Sequence, residues 1–191
     1  QWNVPTINVF GTIDDGTGRW AEHMWNGSDI YHPNQQGHEA MASAFPLTMW
    51  EALQAGKPLP EYIPTQRDEN GVACVSFVPE GQVQSYTLSY ISADTTYTEV
   101  YSAAQKKLWL YANGQQLSVA EGIDKTVGTI TIQGSNIHQV FFYRAAMTER
   151  EVRALARGKM LRSSLEIYCP LLGGDTTNYA QTMNCVTIHN K

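Results

Sequence analysis

The residues best suited to chemistry lie between Ser28 and His38, where an aspartate stands three positions before a histidine. A carboxylate that accepts a hydrogen bond from one imidazole nitrogen leaves the other nitrogen free to take up a proton. Asp29 and His32 are therefore a candidate orienting acid and general base for a serine nucleophile. The same spacing is also typical of a plain turn, with Asp29 as a capping residue and His32 merely exposed before Pro33.

A metal site is the competing interpretation of this stretch. Asp29, His32 and His38, with His23 nearby, would supply carboxylate and imidazole ligands of the kind that zinc accepts. The D-x2-H-x5-H spacing crosses a proline, however, and matches no established ligand spacing. We therefore expect the chain to hold neither a metal nor another cofactor.

Local patterns around the motif predict a strand, a polar loop and a helix. Val4–Phe10 is apolar and β-branched, which predicts a short buried strand. Good helix formers begin at Asn34, Pro46 should interrupt the helix, and Gly56 is a natural stop. The spacing predicts one buried helix face made of Met41, Ala44, Phe45 and Thr48.

A change in composition divides the chain into two parts. Residues 58–70 are rich in proline and polar residues, which predicts a semi-rigid linker between residues 1–57 and 71–191. After the linker, short β-branched and aromatic runs alternate with turn residues, a pattern typical of an antiparallel sandwich. The predicted strands are Ala73–Val78, Ser85–Ile91, Thr98–Ser102, Leu108–Ala112, Gln116–Ala120, Thr129–Gln133, Ile137–Tyr143, Leu165–Pro170 and Cys185–His189.

Two local signals in the β-rich part are especially specific. Asn113-Gly114 predicts a hairpin, because a type I′ turn needs positive φ at both central residues. Thr148 and Glu151 form a capping-box pattern, which predicts a helix that ends near Gly158.

Composition narrows the possible partners. Hydrophobic residues make up 42% and charged residues 16%, which is typical of a folded domain. The net charge of −5, without a basic block, argues against nucleic acid or an anionic membrane as a partner. No apolar run approaches the roughly 20 residues of a membrane helix. Cys74, Cys169 and Cys185 have no metal-ligand spacing, and both a Cys169–Cys185 bridge and three buried thiols are compatible with the sequence.

Residues 4–53 resemble the C-terminal end of SGNH (GDSL-type) hydrolases, which finish with a strand, a loop D-x-x-H-P-[ND]-x-x-G and a helix. The positions that match this motif are Asp29, His32, Pro33, Asn34 and Gly37. The resemblance implies that Asp29 is the acid and His32 the base of a triad. It also implies that the nucleophile, in a Gly-Asp-Ser motif, and the oxyanion-hole residues precede Asp29.

Residues 1–28 contain no Gly-Asp-Ser motif, and Ser28 has the character of a loop or capping residue. We therefore expect this chain to be the C-terminal fragment of a secreted or periplasmic serine esterase that acts on acylated carbohydrate. Its partners would be that substrate and an upstream hydrolase domain. The fragment alone should be inactive.

The β-rich part is similar to concanavalin A-like (LamG-type) jelly rolls. Residues 107–117 resemble their Asn-Gly hairpin, and residues 137–152 resemble their closing strand and helix, with His138 in place of the usual aspartate. Residues 164–171 resemble the strand that opens such a domain. Here that strand either closes the sandwich in a permuted position or begins another module.

The predicted fold class is mainly β, an antiparallel concanavalin A-like sandwich preceded by a strand-loop-helix remnant of an α/β SGNH hydrolase domain. The jelly-roll resemblance implies an alternative function, a non-catalytic glycan-binding or interaction module. Its calcium candidates, Asp94, Asp124 and Asp175, share no motif. Aromatic residues that could stack on sugars, although such residues more often fill a core, are Trp109, Tyr86, Tyr90, Tyr97 and Tyr101.

Overall fold

Antiparallel strand pairing organises most of the chain after residue 71. The computed structural model describes residues 3–65 and 71–189, with Ile30 described by its backbone alone. The helices are α1 (Phe10–Ile13), α2 (Gln35–Ser43), α3 (Met49–Gln54) and α4 (Glu149–Ala156). The strands are β1 (Trp25–Asn26), β2 (Asp29–Pro33), β3 (Val72–Phe77), β4 (Tyr86–Ser92), β5 (Thr95–Ser102), β6 (Lys107–Ala112), β7 (Gln115–Glu121), β8 (Ile130–Tyr143), β9 (Leu165–Cys169) and β10 (Thr187–Ile188).

The long strand β8 belongs to two layers. Its first part pairs with β3, and its last part has β4 on one edge and β9 on the other. Phe77 pairs with Ile130, yet its ring lies 5.3 Å from the ring of Phe142. Twelve residues of straight strand would span roughly 40 Å, so β8 must fold over between these points. Positive φ at Asn136 and Gln139 lies within this bend.

The two layers are therefore β10-β3-β8 and β9-β8-β4-β5-β6-β7, joined through β8. Alternation along β8 sends Phe142 into the core between the layers, while Phe141 and Tyr143 point to the opposite face of the second layer. On that opposite face Val152 and Leu155 of α4 cover the sheet. The prediction of a mainly β chain built on an antiparallel sandwich is confirmed.

The predicted Asn-Gly hairpin and the predicted capping box are both present in the structure. Asn113 and Gly114 both have positive φ in the β6–β7 hairpin. Thr148 caps α4 in a capping box. Its side chain accepts from the Glu151 N–H, and the Glu151 side chain accepts from the Thr148 N–H. The strand-like residues 164–171 close the sandwich, because β9 pairs with β8.

Several predicted elements differ from the observed ones. The predicted strands Thr129–Gln133 and Ile137–Tyr143 merge into the single strand β8, which begins at Ile130, and the last predicted strand shortens to Thr187–Ile188. Val4–Phe10 is not a strand, so that prediction is wrong. Its backbone instead makes isolated bonds to the residue 163–164 turn, with Ser164 N–H donating to the Thr6 carbonyl at 2.9 Å. A strand needs a continuous partner, and this segment has none among the described residues.

The helical part begins and ends where its signals predict. The Asn34 side chain accepts from the Gly37 N–H at the start of α2, and Pro46 separates α2 from α3. Gly56 follows α3 with φ +72°. The predicted buried face is wrong at Phe45, which is 39% exposed, because α2 already ends at Ser43. None of the described helices has the length and apolar character to cross a bilayer.

Residues 1–57 and 71–191, the two predicted parts, touch extensively where they are described. The Gly11 carbonyl accepts from Ala146 N–H at 3.0 Å, and Lys57 Nζ donates to the Thr182 carbonyl at 2.6 Å. The linker also packs against the sheet, since Ile63 N–H donates to the Tyr168 hydroxyl at 2.7 Å. Residues 66–70 of the predicted linker lie outside the described residues, and the division into domains stays a prediction.

A buried ion pair joins these parts. Arg144 Nη1 lies 2.8 Å from Glu166 Oε2, and the two side chains are 1% and 0% exposed. The guanidinium also donates to the carbonyls of Ser43, Glu80 and Gln82 at 2.6 Å each.

The Glu166 carboxylate also accepts hydrogen bonds from groups other than Arg144. Its Oε1 accepts from Glu80 N–H at 2.7 Å and from Asn184 Nδ2 at 2.6 Å. Burial raises the pKa of Glu166, and the adjacent Arg144 opposes that rise. The five groups that bond to the pair come from three segments of the chain, namely the end of α2, residues 80–82 and Asn184, so the pair ties those segments together.

We predict that Arg144→Ala lowers the free energy of unfolding by about 3–5 kcal/mol, because it leaves the Glu166 carboxylate buried without its cation. Urea unfolding followed by tryptophan fluorescence measures this. The matched control is Arg153→Ala, which removes an exposed pair with Glu149 and should change stability by less than about 1 kcal/mol. Equal losses in the two variants would contradict the role assigned to Arg144. If Arg144→Ala does not fold, Glu166→Gln gives the same comparison.

Candidate functional site

A short hairpin places the Asp29–His32 pair at the surface. Strands β1 and β2 pair through Asn26 and Asp29, and the turn between them contains Gly27 with φ +60°. Asp29 begins β2 and His32 lies near its end, so the pair lies on a strand rather than on the predicted loop.

The acid and the imidazole are in direct contact. His32 Nδ1 lies 2.5 Å from Asp29 Oδ2, and the other carboxylate oxygen accepts from Tyr31 N–H at 3.0 Å. The His32 side chain is 73% exposed and the Asp29 side chain 43%. The hydrogen bond from His32 lowers the pKa of Asp29, and the Tyr31 N–H adds to this effect. An ionised carboxylate on Nδ1 leaves Nε2 of His32 as the nitrogen that can accept a proton.

The second half of the motif anchors this hairpin to α2. Asn34 Nδ2 donates to the His23 carbonyl at 2.8 Å, and Asn34 N–H donates to the Met24 carbonyl at 3.0 Å. A Cβ on residue 37 would overlap the Met24 carbonyl oxygen, so only glycine lets α2 approach so closely. Asn34 and Gly37 therefore hold the hairpin, and with it His32, against the helix.

The remaining polar residues of the motif do not join the pair. His38 Nδ1 is hydrogen-bonded to the Asn34 carbonyl at 3.0 Å, and Ser28 lies in the hairpin turn. Across residues 3–65 and 71–189, no group of three or more His, Cys, Asp or Glu side chains is placed to hold a metal ion. Asp29, His32 and His38 therefore do not form such a group with His23, and Asp94, Asp124 and Asp175 do not form one with each other.

The structure contains one serine–histidine contact that the sequence patterns did not predict. Ser76 Oγ lies 2.6 Å from His189 Nε2, where β3 pairs with β10. The two residues are far apart in sequence, and only the pairing of their strands brings them together. No described carboxylate is hydrogen-bonded to His189, so this pair lacks the orienting acid that Asp29 provides to His32.

The aromatic candidates separate into core and surface residues. Tyr86 and Tyr101 are each 2% exposed and fill the core, so they cannot stack on a ligand. Tyr90 and Tyr97 stack on each other across β4 and β5, with ring centroids 5.6 Å apart. Trp109 is half-buried and lines a cleft beside α4.

Comparison with known proteins adds little to this geometry. No protein-family model and no curated protein matches the chain. Among solved structures the chain is similar to the native heptameric SAP-like pentraxin from Limulus polyphemus, with a TM-score of 0.35 and 12% identity over 67% of this chain and 90% of the pentraxin. A TM-score this low supports no inference, and the mainly β class stands on the strand pairings themselves.

The Asp29–His32 contact predicts one imidazole tautomer. In the neutral ring of His32 the proton should reside on Nδ1, because the Asp29 carboxylate accepts from that nitrogen. Long-range 1H–15N correlation spectra of the 191-residue chain distinguish the two nitrogens. In Asp29→Asn the proportion of the Nδ1–H tautomer should fall. A wild-type His32 protonated on Nε2, as a free imidazole prefers, would contradict the contact.

The three cysteines are free thiols, and their reactivities should differ sharply. Burial raises the pKa of Cys169 to about 12, with a further contribution from Asp175, whereas Cys185 is exposed. We expect iodoacetamide at pH 8 to modify Cys185 in the folded chain and to spare Cys169, because the thiolate is the reactive form. Peptide mass spectrometry reads the sites, with labelling in denaturant as the control. Equal labelling of Cys169 and Cys185 in the folded chain would be the contrary result.

Proposed function

We propose that residues 1–57 supply the acid and base of an SGNH-type ester hydrolase, with Asp29 as the orienting acid and His32 as the general base. The observation that carries this proposal is the 2.5 Å contact between His32 Nδ1 and Asp29 Oδ2 on an exposed hairpin. An exposed imidazole held on one nitrogen by a carboxylate can accept a proton on the other.

The chemistry assigned to these two side chains is limited and specific. Nε2 of His32 takes the proton of a serine hydroxyl as that oxygen attacks the ester carbonyl, and it later returns the proton to the leaving alcohol. Asp29 keeps the imidazole in the required tautomer and stabilises the imidazolium that forms. Because the pKa of Asp29 is lowered, its carboxylate stays ionised at a more acidic pH than an ordinary aspartate does.

The nucleophile belongs, in this proposal, to sequence N-terminal to Gln1, as the family resemblance implies. Ser28 is the nearest serine in sequence, but it occupies the hairpin turn. Ser76 already has its own histidine, His189. The substrate we propose is an acylated carbohydrate, whose ester alcohol is a sugar hydroxyl.

The proposal is tested with the protein as its gene encodes it, by hydrolysis of p-nitrophenyl acetate. His32→Ala should lower kcat/KM by about 10²- to 10⁴-fold, because it removes the general base. His38→Ala is the matched control, an exposed histidine on the same motif that does not touch Asp29. Its activity should equal that of the wild type.

Two results would contradict this assignment. One is full esterase activity in His32→Ala. The other is activity of the isolated 191-residue chain that disappears in Ser76→Ala, which would locate the chemistry at the Ser76–His189 pair instead.

A further inference from the structure

A cleft lies on the face of the second layer that α4 covers. Trp109 and Tyr111 line it, and their i, i+2 spacing on β6 directs both rings to the same side of the sheet. Gln116 pairs with Tyr111 across the β6–β7 hairpin and therefore shares this side. The cavity measures about 250 Å³, somewhat below the roughly 300–1,000 Å³ of pockets for drug-sized ligands.

The first part of the chain builds the opposite wall. Gly11 approaches the sandwich so closely that a Cβ would lie 2.7 Å from the Ala146 carbonyl oxygen, so glycine is required there. Asp14, just after α1, and Gln105, just before β6, complete that wall. The cleft therefore exists only because residues 1–57 pack against the sandwich.

Polar groups at the cleft are available to a ligand. The indole N–H of Trp109, the Tyr111 hydroxyl and the amides of Gln105 and Gln116 make no hydrogen bond to another described side chain or backbone group. Burial raises the pKa of Tyr111, with the nearby Glu149 adding to this, so its hydroxyl remains a donor at neutral pH. An aromatic face beside uncommitted donors and acceptors suits a ring that has an apolar face and hydroxyl edges.

The two carboxylates at the cleft, those of Asp14 and Glu149, are already bonded to groups of the chain. Glu149 forms an ion pair with Arg153, and Asp14 Oδ1 accepts the N–H groups of Gly16 and Gly18 at 3.0 Å each. Both carboxylates at the cleft therefore already have partners within the chain, and the groups left without a partner among the described residues include the neutral side chains of Trp109, Gln105 and Gln116.

We propose that this cleft binds a neutral mono- or disaccharide, with one sugar ring stacked on Trp109 and its hydroxyls bonded to Gln105 and Gln116. The site shares no residue with the Asp29–His32 pair, so it can be present whether or not that pair is catalytic.

An array of neutral mammalian, plant and microbial glycans, probed with the 191-residue chain, tests this site. At least one neutral glycan should bind, and Trp109→Ala should weaken that binding by about tenfold or more. Trp50→Ala is the matched control, a tryptophan that is 64% exposed on α3 and should leave binding unchanged. Gln116→Ala, an exposed position, should also weaken binding and guards against a folding defect at Trp109.

The outcomes separate cleanly. Loss of binding in both cleft variants, with normal thermal unfolding of Gln116→Ala, supports the proposal. Binding of no neutral glycan, binding of choline or another cation alone, or binding that Trp109→Ala and Gln116→Ala do not change would overturn it. Esterase activity is measured in a separate assay, so a lack of activity would not change the interpretation of the glycan-binding result.

Discussion

The buried ion pair between Arg144 and Glu166 is the interaction on which the two parts of the chain converge. Removing two charges from water is unfavourable unless their remaining hydrogen-bonding capacity is satisfied. Here the pair meets that condition with groups from α2, the residue 80–82 turn and the C-terminal segment. Because those partners are mostly backbone atoms, the pair fixes the path of the chain and not merely the orientation of side chains.

Helix α2 connects this pair to the candidate catalytic residues. The carbonyl of Ser43, its last residue, accepts from Arg144 Nε at 2.6 Å. At its other end Asn34 caps the helix and holds the hairpin that carries Asp29 and His32. The exposed pair is thus held by a helix that is anchored in the protein interior, and the proposed role of His32 as a general base would need such a fixed position.

The features that could be predicted from the sequence were those determined by neighbouring residues. The Asn113-Gly114 turn, the Thr148 capping box and the Asp29–His32 contact each depend on residues within a few positions, and each formed as expected. The Val4–Phe10 strand failed because strand formation depends on a distant partner that an apolar pattern cannot reveal.

Long-range features could not be predicted for the same reason. The bend in β8 looked like a turn between two strands, because Gly134-Ser135-Asn136 is a typical turn sequence. In the structure, pairing with β3 and then with β4 carries a single strand through it. The Trp109 cleft likewise requires Gly11 and β6 to meet, and no local pattern indicates that contact.

The proposed role of His32, which Asp29 orients on the hairpin, is to activate a serine nucleophile. Labelling the protein as its gene encodes it with a fluorophosphonate, followed by peptide mass spectrometry, tests this most directly, because that reagent reports an activated serine rather than a product. The account predicts one modified serine, N-terminal to Gln1, whose labelling is lost in His32→Ala and retained in His38→Ala. Labelling that persists in His32→Ala, or an absence of any modified serine, would contradict it.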